Sequence, residues 1–158
     1  MKQKGIYHVP VLLQEVIDGL QIIPSGIYVD CTFGGGGHSR KILEKLGNSG
    51  KLIVFDQDED AKKNVPEDAR VIFVPHNFQH LQRFLRFHKI SKVNGILADL
   101  GISSHQINEA ERGFSTRFDA ALDMRMNRGD SKTAAEIIKN YPEEALHKIF
   151  EKYGEVTN

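Results

Sequence analysis

A run of four glycines, Gly34 to Gly37, fixes more about this chain than any other feature. It follows the apolar residues Ile27, Tyr28 and Val29, then Asp30, Cys31, Thr32 and Phe33, and it precedes an amphipathic segment that opens near His38 or Ser39. The pattern reads as a buried strand, a turn without Cβ atoms, and a helix. Such a turn lets a ligand approach the main chain at a helix N-terminus. A dinucleotide fingerprint spaces its glycines as GxGxxG, yet counting from Gly34 and Gly36 the third position is Ser39. A cofactor without a pyrophosphate, such as S-adenosyl-L-methionine, has less need of that third glycine. A merely flexible loop is the competing reading.

The remaining strands follow at regular intervals. Lys51 to Phe55, Arg70 to Val74 and Gly95 to Ala98 are short apolar runs separated by helical patterns, which predicts a doubly wound α/β sheet. Helices are expected over Pro10 to Leu20, Ser39 to Leu46, Ala61 to Asn64 behind an Asp58 cap, and a segment capped by Asn77 that carries Leu81, Phe84, Leu85 and His88. Ligands of such sheets sit outside the carboxyl ends of the strands. Asp30, Asp56 and Asp99 all fall there, and three carboxylates at one edge suit a cationic ligand. Asp56 lies 22 residues beyond Gly34, near the interval at which an acidic residue meets a ribose. Phe78, after the third strand, can lie on an adenine ring or belong to the core.

Composition narrows the partners. The chain has 158 residues, one cysteine, and 21 basic against 21 acidic residues, so no intrachain disulfide forms and overall charge does not mark a nucleic-acid partner. No apolar run is long enough for a membrane span, and a cytoplasmic protein is expected. Tyr7 and His8 form a short arm that either closes over a ligand or straps the terminus. His76 and His80 stand four apart but lack a third ligand, so no metal site is read there. Arg83, Arg86, Lys89 and Lys92 form the basic stretch of the first hundred residues, a solvated face or an RNA phosphate track. Leu100 to Asp130 shows no periodic element, and there Arg112, Arg117, Arg125 and Arg128 alternate with Phe114 and Phe118, a composition able to grip phosphates and stack bases unless Asp119 and Asp123 neutralise it. Two helices follow, Ala134 to Asn140 behind a Thr133 and Glu136 capping box, and Glu143 to Tyr153.

HVPVLLQEVIDGL, DCTFGGGGHS, FDQD, ADLGISS, ERGFS, LDMRM and a terminal YGE together resemble the bacterial small-subunit (16S) rRNA cytosine-N4 methyltransferases, the MraW or RsmH family. The resemblance runs from Tyr7 onward. It implies a Rossmann-like class I methyltransferase core over residues 1–106, and over residues 107–158 the first part of an inserted helical domain. The implied activity is S-adenosyl-L-methionine-dependent methylation of a cytidine amine in 16S rRNA of the small ribosomal subunit. Carried over by motif, the cofactor contacts are Gly36, Gly37, His38, Asp56, Phe78, Asp99 and Gln106, with Asp99 the catalytic candidate. The chain differs from the family pattern at SSHQIN, where His105 replaces a proline, and at DAALDMRM, where Ala120 and Ala121 replace Gly-Pro. Family members continue past YGE, so the resemblance further implies a shortened chain with the first four strands, an exposed fourth strand and self-association through it. A nicotinamide-dependent oxidoreductase and a non-catalytic RNA-binding module are the alternatives from other classes.

Overall fold

The computed structural model describes residues 10–156, so the Tyr7 and His8 arm lies outside the described residues. Two compact units divide the chain, residues 1–101 and 102–158.

Unit 1 is a four-stranded parallel sheet, β1 (Ile27–Asp30), β2 (Lys51–Phe55), β3 (Val71–Val74) and β4 (Gly95–Leu97), in the order β3-β2-β1-β4. Strand alternation explains its layers. Tyr28, Leu52 and Val54 face one side, where they meet α1 (Leu13–Gly19) and α2 (Gly37–Lys45) through Ile17, Ile42, Leu43 and Leu46. Val29, Ile53 and Phe55 face the other, where α3 (Leu81–Phe87) lays down Leu81, Phe84 and Leu85. Helices on both faces of a parallel sheet make this a Rossmann-like α/β core, as the strand spacing predicts.

Element ends depart from expectation for local reasons. The first helix starts at Leu13 rather than Pro10 because Leu12 takes a left-handed conformation, φ +50°. The helix expected from Ser39 begins two residues earlier, at Gly37, behind Gly36 at φ +73°. Asp58 caps a 3₁₀ turn over Glu59–Asn64, and Asn77 caps another over Phe78–His80 that feeds α3. Arg70, just before β3, pairs with Asp68 at 2.6 Å and donates to the Leu43 and Leu46 carbonyls, closing the C-terminus of α2.

Unit 2 contains α4 (Ser104–Asn108), a 3₁₀ turn Ala110–Arg112, α5 (Ala134–Asn140) and α6 (Glu143–Gly154). The stretch from Leu100 to Asp130 is thus not without helix. Its helical pieces are too short for a hydrophobic period to show, but Ser103 and Gln106 form a full capping box. Thr133 and Glu136 form the second, as their spacing predicts. Among the described residues no helix is long and apolar enough to cross a membrane.

Candidate active site at the glycine turn

The strand order reverses between β1 and β4, so the crevice of this sheet lies beyond Asp30 and Leu97. The chain leaving β1 is pinned there on both sides. The Cys31 N–H donates to the Leu97 carbonyl at 2.8 Å, the Phe33 N–H to the Phe55 carbonyl at 3.0 Å, and the Asp99 N–H to the Thr32 hydroxyl at 2.8 Å. The glycine turn therefore starts from a fixed platform.

Asp56 holds the turn itself. Residues 52, 54 and 56 share a face by alternation, which brings the Asp56 carboxylate over the glycines. Its Oδ2 accepts the Gly34 N–H at 2.7 Å and its Oδ1 the Asp58 N–H at 2.8 Å. Burial pushes this carboxyl above its ordinary value, against the opposing pull of the Asp58 and Gly34 N–H groups. Arg40 donates to the Gly35 carbonyl at 2.7 Å and Asn64 to the Gly34 carbonyl at 3.1 Å. Side chains thus hold the main chain of the loop at Gly34 and Gly35.

Space around the glycines is uneven. A Cβ on Gly36 would stand 2.8 Å from the Phe33 ring, and one on Gly37 would collide with Pro10. Among the described residues a Cβ on Gly35 would meet nothing within 4 Å, leaving open room against the main chain. Beside that room the first N–H groups of α2 have no intrahelical acceptor. A backbone cradle of this shape, with a carboxylate 22 residues on, fits a nucleoside-bearing ligand.

Asp30 does not join Asp56 and Asp99 as a carboxylate open to ligand. It is 1 % exposed, its Oδ1 accepts the Thr32 N–H at 3.0 Å and its Oδ2 the Ser39 hydroxyl at 2.7 Å. Burial raises its pKa despite both bonds. Its work is to lock α2 onto β1, so two of the three expected carboxylates remain at the crevice. Burial, with Asp30 adjacent, also pushes the Cys31 thiol up to about 11, which leaves it protonated and structural.

The other expected residues divide. Phe78 is 38 % exposed in the 3₁₀ turn that follows β3, and Asn77 beside it donates to Gln57 at 3.0 Å, linking the β3 and β2 loops. Asp99 is exposed. The His38 ring is buried, with Nε2 3.0 Å from the Val11 carbonyl, a contact that fixes the start of α2 against the chain entering α1. Sequence reasoning missed Thr32, Asn64 and Arg40, whose roles depend on which carbonyl or N–H they reach. Gln106, in unit 2, is buried, and its side-chain carbonyl accepts the Ser103 N–H at 2.9 Å.

The arginines of unit 2 also sort by partner. Arg112 is 2 % exposed, donates to the Arg125 and Met126 carbonyls at 2.9 and 3.2 Å, and stands over the Phe114 ring. Arg125 forms a two-point pair with Asp123, whose carboxyl it holds down to about 2. These two hold the loop together. Arg117, over the Phe118 ring, and Arg128 are exposed.

Residues 5–158 match the model of the MraW methylase family. A "Ribosomal RNA small subunit methyltransferase H" of Christiangramia forsetii is 60 % identical over 152 residues, covering 96 % of this chain and 50 % of the relative. Proteins of the same name from Bacteroides thetaiotaomicron and Parabacteroides distasonis are each 57 % identical, covering 99 % of this chain and 52 % of theirs. The chain spans about half the length of the curated relatives it matches. With a family match over nearly every residue, the chain belongs to the MraW methylase family.

Proposed function

We propose that unit 1 is the S-adenosyl-L-methionine-binding core of an enzyme that methylates the exocyclic N4 amine of a cytidine in 16S rRNA. The observation that carries this reading is the glycine turn, clamped by Asp56 and open at Gly35, at the reversal point of the sheet. Family membership and the names of the relatives support methyl transfer to small-subunit ribosomal RNA.

When bound, S-adenosyl-L-methionine supplies an electrophilic methyl group on a sulfonium. The chain's residues supply position. Gly35 to Gly37 and the backbone N–H of His38 line the approach at the start of α2. Asp56 offers the remaining lone pairs of its carboxylate to ribose hydroxyls, and Phe78 offers a ring face to the base. Asp99, exposed beyond β4 with its backbone fixed to Thr32, is set to accept hydrogen bonds from a ligand ammonium or from the cytosine amine. That amine is a weak nucleophile because its lone pair is conjugated with the ring. An acceptor for its N–H localises the pair while the reacting atoms are held in line, so catalysis rests on positioning.

Deletion of the coding sequence, followed by nucleoside analysis of 16S rRNA, tests this function. One cytidine is expected to lose its N4 methyl group; an unchanged nucleoside profile overturns the assignment.

A further inference from the structure

One charged surface of unit 1 takes no part in the glycine turn. From Ala69 to Ala98 the chain contains no Asp or Glu, although acidic and basic residues balance at 21 each overall. Arg70 in this stretch is engaged by Asp68 and by α2. The other four cations, Arg83, Arg86, Lys89 and Lys92, lie on α3 and the turn after it. Because α3 turns Leu81, Phe84 and Leu85 to the sheet, Arg83, Arg86 and Phe87 face outward. Phe87 is 78 % exposed, and none of the four cations meets a carboxylate among the described residues.

Two features set this apart from an ordinary solvated helix face. Arg83 and Arg86 stand three apart, where like charges repel and alternating signs would be more favourable. Lys89 takes a left-handed conformation, φ +58°, and closes α3: its N–H donates to the Arg86 carbonyl at 3.0 Å, and the Ile90 N–H to the Leu85 carbonyl at 2.8 Å. Glycine is the usual residue of that closure, so a cation stands where glycine would relieve strain.

We propose that α3 and the turn to Lys92 form an RNA-binding surface that grips backbone phosphates with Arg83, Arg86, Lys89 and Lys92 and stacks an unpaired base on Phe87. The surface runs along α3 from the end of β3 to the turn that leads back to the start of β4. It anchors the RNA without reading its sequence. The inference rests on ribosomal RNA being the substrate.

Fluorescence anisotropy with a labelled single-stranded RNA, at salt between about 50 and 200 mM, tests it. Replacing the four cations with Gln is expected to flatten the dependence of log affinity on log salt by about 3 units, at roughly 0.7 per phosphate contact. Lys89→Gly, which relieves strain and so remains folded, flattens it by about 0.7. Phe87→Ala weakens binding at every salt concentration without changing the slope. If the unsubstituted chain binds RNA and the slopes are unchanged in the variants, this surface is wrong while the RNA reading stands. If it binds no RNA, both fail. Tighter binding to vesicles of anionic lipid than to RNA likewise overturns the proposal.

Discussion

The backbone N–H of Asp99 donates to the Thr32 hydroxyl at 2.8 Å, tying together residues 67 apart across the reversal point of the sheet. Thr32→Val keeps the side-chain shape and removes the acceptor. Asp99 is exposed and water can take the freed N–H, so the loss of stability should stay below about 1 kcal/mol. Affinity for S-adenosyl-L-methionine should fall by more than that loss explains, because the loop carrying Asp99 loosens. Denaturant titration and calorimetry on the same variant compare the two; unaltered affinity would make the bond purely structural.

Two neighbouring glycines separate folding from binding. Gly36→Ala places a Cβ 2.8 Å from the Phe33 ring at φ +73°, and should cost about 1–3 kcal/mol of stability. Gly35→Ala meets no atom within 4 Å among the described residues, so its thermal unfolding should match that of the unsubstituted chain while its cofactor affinity drops. A Gly35→Ala chain that binds normally would show that the open room is not the ligand site.

Asp30 and Asp68 predict opposite pH responses. Burial raises the Asp30 pKa above its ordinary 3.8, so the folded state holds its proton more tightly than the unfolded state does. Its effect on stability is absent below 3.8 and becomes increasingly unfavourable as pH rises from there through the raised value. Asp30→Asn keeps an acceptor for Thr32 and a donor for Ser39 and should flatten that decline, whereas Asp30→Ala strands both partners and should cost about 2–4 kcal/mol. Asp68 is held down to about 2, chiefly by the Arg70 side chain. Its contribution is present above 3.8 and is lost as pH falls through about 2. Melting curves at a series of pH values, read against Asp30→Asn and Asp68→Asn, check both signs.

In unit 2, Arg112→Met should cost about 1–3 kcal/mol, because two partly buried carbonyls lose their donor. Thr133→Ala should cost about 1 kcal/mol through its cap on α5. Arg117→Gln should leave stability within about 0.5 kcal/mol, since its side chain is exposed. Denaturation of the three variants ranks them; an Arg112→Met chain as stable as the unsubstituted one would contradict a structural role.

The sheet was legible because its signals are local. Short apolar runs end in Asp30, Phe55, Val74 and Leu97, and alternation within each run assigns both faces without reference to the rest of the chain. Both capping boxes and the two 3₁₀ caps depend on spacings of two or three residues; the Thr133 box was read, but the Ser103 box was hidden in a helix of five residues. What the sequence does not display is which of two similar groups a side chain reaches. Asp30 and Asp56 both stand at the carboxyl end of a strand, yet Asp30 turns to Ser39 of α2 while Asp56 reaches Gly34. Arg112 and Arg117 share a basic, aromatic stretch, and only burial distinguishes the buried tie from the exposed cation.

The most direct test of the central claim is calorimetric titration of the chain with S-adenosyl-L-methionine, with NAD as the control ligand, repeated on Asp56→Ala. Saturable binding of S-adenosyl-L-methionine alone, weakened roughly 10- to 100-fold in Asp56→Ala by loss of charged hydrogen bonds, is the predicted result. Absence of binding, preference for NAD, or equal affinity of the Asp56→Ala chain would contradict a methyl-donor site at the glycine turn.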